Sequence, residues 1–196
     1  MLVVLILKTN DILNINNVSI SAQIESIKKD IISTRNKILI DANKKLINMY
    51  FRIGKVISDN QKYGSNFINS LSTSLKIEFP DTTGFSPRNL ARMRKFYDTY
   101  KDLSNLPTAL AKLPWSFNNL LIDRVEGAEK RIWYAEKCLE NGWSYVVLDH
   151  QIDLNLYERQ ADKTKKLTNY GDNLPEIQGE PAIEVIKDLI FLNLLV

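Results

Sequence analysis

The sequence contains a single cysteine, Cys138, and a single histidine, His150. No disulfide can form within the chain, and a zinc site built from Cys and His side chains lacks ligands. A Cys–His nucleophile pair needs both groups within hydrogen-bond reach, and nothing in the sequence orients them toward each other. We therefore expect Cys138 to be a small buried residue in a reducing compartment.

Long apolar runs are also lacking. The N-terminal run MLVVLIL is too short to span a bilayer, and no longer one follows it. It has no basic segment before it and no small-residue cleavage site after it, so it makes a poor signal peptide. The sequence predicts a cytoplasmic protein that does not contact membranes. Residues 1–21 are interpreted as an N-terminal extension, which is a short strand, an ordered arm or an artefact of start-site choice.

Positive charges exceed negative charges only slightly: the chain has 26 Lys and Arg against 23 Asp and Glu, which gives a net charge of +3. This balance permits a nucleic-acid partner without requiring one, because local clustering matters more than the sum. Seven glycines are present and none forms a phosphate-binding loop motif. An apolar content of 44% suits a globular chain.

The apolar residues that are present recur at helical spacing. Between residues 22 and 59 they follow mostly three- and four-residue steps, with Ser21 as a plausible cap. These residues are Ile24, Ile27, Ile31, Ile38, Ala42, Leu46, Met49, Ile53 and Val56. Such a length suits two helices or one extended packing helix. The simpler interpretation is an arm of a helical core, and the alternative is a coiled-coil or partner-binding helix.

Turn and cap residues divide the rest of the chain into further helices. A helix over residues 66–78, with Phe79 on its inward face, ends before Pro80. Ser86 and Pro87 open a helix over residues 87–101, as N-cap and first position. A loop with Leu106-Pro107 and Leu113-Pro114 follows, and three more helices are predicted: residues 117–125 capped by Ser116, residues 128–139 stopped by Gly142, and a last helix capped by Ser144.

No strand pair is evident, so the predicted fold class is all-α, a multi-helix bundle with a helix-turn-helix-like unit. The last predicted helix places Tyr145, Leu148, Ile152 and Leu156 on one face. Residues 22–160 are taken as the helical domain. Residues 162–181 have the composition of a linker, and the apolar residues after 181 are expected to dock back or to pair with a partner.

The helix over residues 87–101 has two chemically different faces. At about 100° per residue, one sector holds the apolar Leu90, Met93, Tyr97 and Tyr100. The nearly opposite sector holds Arg88, Arg92, Lys95 and Thr99, and Arg94 flanks the apolar side.

A basic helix preceded by a bracing helix follows the logic of a helix-turn-helix, although the connection from Pro80 to Phe85 is longer than usual. Arg88 and Asn89 lie at the leading end, where Arg can bond guanine and Asn can bond adenine. Arg92 and Lys95 are better placed for phosphates. The predicted nucleic-acid-binding residues are therefore Arg88, Asn89, Arg92, Arg94 and Lys95. The alternatives are a solvated face or a surface for a protein partner.

Other clusters favour structural interpretations. Trp115, Trp133 and Trp143 could stack on bases, yet at helical spacing such residues are more often core. The spacing of Asp149, Asp153 and Glu158 does not favour metal binding, and a solvated face accounts for them better. We predict no metal site and no cofactor.

Several motifs in register resemble the N-terminal domain of the YhcG-type nucleases, over about residues 24–190. They are Tyr50-Phe51-Arg52-Ile53-Gly54, Leu71-Ser72 to Phe79-Pro80, Gly84-Phe85-Ser86-Pro87-Arg88-Asn89-Leu90, Met93-Arg94-Lys95-Phe96-Tyr97, Leu113-Pro114-Trp115-Ser116, Arg131-Ile132-Trp133-Tyr134-Ala135, Gly142-Trp143-Ser144 and Leu156-Tyr157-Glu158-Arg159-Gln160.

The resemblance implies an α-helical DNA-binding domain that precedes a PD-(D/E)XK nuclease domain, which would supply the metal-binding carboxylates and the catalytic Lys. The chain ends near that junction, so residues 161–196 are interpreted as a linker and a remnant of the junction to a missing nuclease domain. Two departures from the family pattern occur, at Leu189-Ile190 and at Phe117. The first, with the early end, suggests a split or frameshifted gene or an isolated domain.

The sequence thus predicts a non-catalytic DNA-binding and targeting domain whose partner is DNA. The alternative is a protein–protein module, either a homodimer through the helix over residues 22–59 or a dock for a separately encoded nuclease subunit.

Overall fold

The computed structural model describes residues 2–60, 62, 64–161, 184–185 and 187–188. These residues form eight helices and no strand, which confirms the all-α prediction. The helices are α1 (Leu2–Asp59), α2 (Gly64–Glu78), α3 (Pro87–Tyr100), α4 (Thr108–Lys112), α5 (Trp115–Arg124), α6 (Ala128–Asn141), α7 (Tyr145–Asp153) and α8 (Leu156–Ala161).

The chain divides into two units, Met1–Ile38 and Leu39–Val196. The described residues of the first unit, 2–38, lie within α1, so the helix start predicted at residue 22, with Ser21 as its cap, is wrong. Ser21 is exposed and keeps its backbone N–H, so the helical hydrogen bonds continue through it. The predicted linker, residues 162–181, lies outside the described residues.

The second unit contains one hydrophobic core to which every helix from α1 to α8 contributes. α2 packs on α3, α3 on α5, and α5 on both α6 and α7. Phe96 of α3 is fully buried and contacts the rings of Phe51, Tyr100 and Trp115. Trp115 is a core residue, as predicted.

Gly54 brings α1 and α3 into backbone contact. A Cβ atom at this position would lie 2.1 Å from the Met93 carbonyl oxygen and 2.9 Å from Cβ of Tyr97. A glycine within a helix costs about 1 kcal/mol relative to alanine, so a packing reason is expected for it. The close approach fixes the position of α3 against the core.

Two buried asparagines complete the backbone hydrogen bonds around α4, which forms where the sequence predicts a loop. The Asn43 amide donates to the carbonyls of Ala111, Lys112 and Leu113, at 2.9–3.0 Å. The Asn118 amide donates to the carbonyls of Leu110, Leu113 and Pro114, at 2.9–3.2 Å. The last carbonyls of a helix have no partner within it, and here distant side chains supply the donors.

Most helix ends are as predicted. The Ser86 hydroxyl accepts from the Asn89 N–H and the Ser144 hydroxyl accepts from the Val147 N–H, while Gly142 ends α6 in the left-handed conformation.

Three predictions about helix residues are wrong. Ser116 lies inside α5, which begins at Trp115 and has no side-chain cap at Pro114. Phe79 is 48% exposed rather than inward-facing. The last predicted helix is two helices, because Asn155 adopts a positive φ of 49° between α7 and α8. Leu148 and Ile152 of α7 are buried, but Tyr145 is 37% exposed.

We expect Gly54→Ala to destabilise the protein by about 2 kcal/mol, because the added methyl must push α1 and α3 apart and this overpacking outweighs the gain in helix propensity. Urea unfolding followed by circular dichroism measures the change. Arg52→Ala, at an exposed position of the same helix, is the control and should change stability by less than about 0.5 kcal/mol. Equal stabilities of Gly54→Ala and the wild type would contradict the close contact.

Candidate nucleic-acid interface

The N-terminus of α3 is built as the sequence predicts, and its faces follow from its packing. Leu90, Met93, Phe96 and Tyr100 are buried. The helical periodicity places Tyr97 on the buried face of α3. In the structure Tyr97 is only half-buried, and Phe96 is the buried residue at this level of the helix. Arg88 and Lys95 are exposed on the other side.

Arg92 and Lys95 share one counterion on α5. Arg92 Nη1 lies 3.0 Å from Asp123 Oδ2, and Lys95 Nζ lies 2.8 Å from Asp123 Oδ1. Partial burial raises the pKa of the Asp123 carboxyl, but the hydrogen bonds from Lys95 and Arg92 outweigh it, so the pKa lies below its ordinary value. One negative charge faces two positive charges, so this cluster keeps a net positive charge.

Asn89 has both ends of its amide in use. Its Nδ2 donates to the Gly84 carbonyl at 2.6 Å, and its Oδ1 accepts from the Trp115 indole N–H at 2.8 Å. The side chain therefore positions Trp115 and the turn before α3. A contact between Asn89 and a base stays a prediction, and it would have to use the second N–H and the second lone pair of the amide or replace these two bonds.

The remaining two predicted residues differ in their surroundings. Arg88 forms no ion pair among the described residues. Arg94 Nε lies 4.0 Å from Asp98 Oδ2, and Asp98 also accepts from the Ser58 hydroxyl of α1 at 2.6 Å. Arg94 thus points toward the end of α1 rather than toward Asp123.

Arg88, Asn89 and Arg92 meet at a cavity of about 360 Å³. Its wall also includes Lys187 and Asp188, which lie in the predicted junction. Three cations and one carboxylate line this space, and one of the cations, Lys187, pairs with Glu184. The other lining residues are Tyr50, Thr83, Ser86 and Trp115.

Asp188 contacts this cavity. Val185 is fully buried in the core. Of the two outcomes expected for the apolar residues after 181, the burial of Val185 favours docking back over pairing with a partner; residues 186 and 189–196 lie outside the described residues. The Asp188 carboxylate accepts from the Trp115 backbone N–H at 2.8 Å, which supplies the cap that Pro114 cannot provide for α5. Sequence reasoning missed this contact because it joins residues 73 positions apart.

The acidic residues of α7 and α8 are held by cations. Arg124 pairs with Asp149 at 2.7 Å and also with Asp153, and Lys130 pairs with Glu158. Within the described ranges no group of three or more His, Cys, Asp or Glu residues could hold a metal ion.

A second cavity, of about 390 Å³, is lined by Arg92 together with Asp123, Arg124 and Asp149, among other residues. Arg92 therefore lines both cavities. In the second cavity, the four charged residues named here form two ion pairs, Arg92 with Asp123 and Arg124 with Asp149. The excess positive charge lies on the side of Arg88.

Cys138 is buried, as predicted, and its thiol donates to the Trp143 carbonyl at 3.5 Å. Burial raises the pKa of this thiol to about 12. Only a thiolate is an effective nucleophile, so this cysteine is inert near neutral pH.

The sequence profile of the DUF1016 N-terminal domain matches residues 26–159, and the chain belongs to this family. A relative from Escherichia coli strain K12, named Putative nuclease YhcG, is 27% identical over 200 residues, which cover 83% of this chain and 53% of the relative. The chain thus spans about half the length of that relative. No solved structure matches.

Among the described residues, no helix is both long and apolar enough to cross a membrane.

We expect stability to depend on pH through Asp188. Burial raises the pKa of its carboxyl from 3.8 to about 6. The hydrogen bond from the Trp115 N–H acts to lower this pKa, and the negative charge of Glu184 acts to raise it further. The folded state therefore holds a proton that the unfolded state releases, and this contribution to stability is lost as the pH rises from about 3.8 to about 6. Asp188→Asn cannot titrate.

The free energy of unfolding of the wild type, relative to Asp188→Asn, should fall across that window and then stay level. Urea titrations of both proteins at several pH values measure the difference. A difference that is constant with pH would contradict the burial of the carboxyl.

Proposed function

We propose that this chain is a non-catalytic domain that binds and targets DNA through the face of α3 that carries Arg88, Arg92 and Lys95. The observation that carries the proposal is the charge balance of this face: the two ion-paired cations share a single carboxylate, and Arg88 has none among the described residues. Lys187 lines the same cavity as Arg88, and its ammonium group pairs with Glu184.

Phosphate binding is the chemistry that this face suits. The guanidinium of Arg presents planar donors that match phosphate oxygens, and Lys serves as a point charge. Residues 88, 92 and 95 follow i, i+4 and i+7 spacing, so one side of the helix presents all three to one strand of a duplex.

The ion pairs with Asp123 do not prevent this use. Asp123 is 39% exposed and Lys95 is 55% exposed. Exposed ion pairs stabilise a protein by only about 0–1 kcal/mol, so a phosphate can replace the carboxylate at small cost. Asp123 then tunes the affinity by competing with the phosphate for both cations.

The absence of catalysis is part of the proposal. Metal-assisted phosphodiester cleavage needs carboxylates that are free to bind the ion. In the described part of the chain, Asp149 and Asp153 are both bound by Arg124 and Glu158 is bound by Lys130. The relative carries the word nuclease in its name, and we assign its chemistry to the part of that protein that this chain does not cover.

A second candidate function, an interaction module, is favoured by one observation. The first unit exposes several isoleucines along α1, which a solvated helix does not require.

The triple variant Arg88→Ala/Arg92→Ala/Lys95→Ala should bind duplex DNA at least tenfold more weakly than the wild type at low salt. If each residue contacts a phosphate, the slope of log affinity against log salt should flatten by about 2 to 3, because fewer counterions are released. Fluorescence anisotropy with a labelled duplex measures both quantities.

The control variant Lys45→Ala/Arg52→Ala/Lys55→Ala removes the same charge from exposed positions of α1. It should retain affinity and slope within about twofold. An equal loss of DNA affinity in both variants would show that only the net charge of the protein matters. An unchanged affinity of the α3 variant, with its fold intact, would contradict the proposal.

Asp123→Asn should strengthen DNA binding by about threefold to tenfold at low salt, because it releases Arg92 and Lys95 from their shared carboxylate and steepens the salt dependence. The matched control is Glu158→Gln. This variant also removes one carboxylate charge, that of Glu158, which pairs with Lys130 of α6. The same anisotropy assay compares them. Weaker binding by Asp123→Asn would indicate that the ion pairs orient the cations rather than compete with phosphate.

A further inference from the structure

The part of α1 that lies in the first unit exposes a row of isoleucines. Their side chains are about half exposed or more, with Ile24 at 48%, Ile27 at 58%, Ile31 at 50% and Ile38 at 59%. Ile20, one turn before Ile24, is 54% exposed. Exposed apolar surface of this kind marks an interaction site, because leaving it in water is costly.

These isoleucines follow the spacing of a coiled coil. In a heptad abcdefg, Ile24, Ile31 and Ile38 take position a, and Ile20 and Ile27 take position d. Thr34 occupies the remaining d position of this stretch. A repeat of 3.5 residues keeps the row on one side of the helix, where a second helix can cover it.

The same register continues toward the N-terminus in the sequence. Positions a and d hold Val3, Ile6, Asn10, Leu13 and Asn17, so the pattern extends over five consecutive heptads. A helical repeat of more than 25 residues without caps is typical of a coiled coil. Ile at both a and d favours more than two strands, whereas a polar Asn at position a in the sequence specifies the register and the oligomer state at a cost in stability.

We propose that this surface binds a second copy of the same chain, as a parallel, in-register, two-stranded coiled coil. The apolar row favours an identical partner because it is complementary to itself: a and d residues of one helix fit between those of the other.

The charges that flank the row set the orientation. Asp30 takes position g and Arg35 takes the following position e, and a parallel pair places g of one helix beside this e of the other. Neither residue forms an ion pair among the described residues, so both are available to the second copy. An antiparallel pair would instead place e positions together, where Lys28 and Arg35 repel each other, and g positions together, where Asp30 and Lys37 attract each other. These two contributions offset each other, so the parallel pair has the better charge balance.

The full chain tests the proposal by light scattering coupled to size exclusion, over a range of concentrations. The wild type should have about twice the mass of the 22.6 kDa chain. Ile31→Asp should raise the dimer dissociation constant at least about a hundredfold, because it buries a carboxylate at the centre of the apolar row. Circular dichroism and thermal unfolding check that the second unit remains folded.

Ile32→Asp is the matched control, since Ile32 is the same residue type, is 58% exposed and occupies position b, outside the row. It should remain a dimer. A monomeric wild type at every concentration, a trimeric mass, or equal dissociation of the two variants would each overturn the proposal.

The orientation has its own test. Arg35→Glu should weaken the dimer, because it sets two carboxylates beside each other, and the double variant Asp30→Lys/Arg35→Glu should restore it. Failure of the double variant to recover affinity would overturn the parallel register. These readouts use mass alone and do not depend on DNA binding.

Discussion

The backbone contact between α1 and α3 at Gly54 is the constraint from which the interface follows. Because no side chain separates the two helices there, the Met93 carbonyl approaches α1 more closely than any Cβ would allow. This contact fixes the rotation of α3, buries Met93 and Phe96, and leaves Arg88 and Lys95 on the outside. The basic face is thus a consequence of how the apolar face packs. A helix that could rotate would not hold its cations in a fixed row.

Hydrogen bonds from buried side-chain amides hold the neighbouring helices in place. Asn43 and Asn118 hold the carbonyls around α4 and the start of α5. Trp115, the first residue of α5, then receives two polar partners, Asn89 through its indole and Asp188 through its backbone N–H. The cavity beside Arg88 is bounded by these contacts, so its shape depends on side chains far apart in the chain. Buried amides of the core and the polar partners of Trp115 thus hold adjacent parts of the chain beside the basic face of α3.

The charge pattern connects the two proposals. A face that keeps a small excess of positive charge, with exposed ion pairs, suits salt-sensitive and moderate binding to phosphates rather than tight recognition of one sequence. A parallel dimer through the first unit would contain two such faces. Linking two weak binding modules raises the overall affinity without new contacts, provided that both can reach the same ligand. The number of basic residues on one α3 need not be large for such a protein to bind DNA.

The sequence by itself determined the helical class, the start of α3 at Ser86 and Pro87, the end of α6 at Gly142 and the burial of Cys138, since caps, glycines and apolar periodicity act over a few residues. It also determined which residues of α3 carry charge. Only the tertiary structure decided which of these charges are paired, because Asp123 comes from another helix. The same holds for α4, whose backbone partners Asn43 and Asn118 are not its neighbours, and for Asp188, which caps α5 from 73 residues away. Local signals fix where helices begin and end, whereas the state of a side chain depends on contacts that only the packed chain brings together.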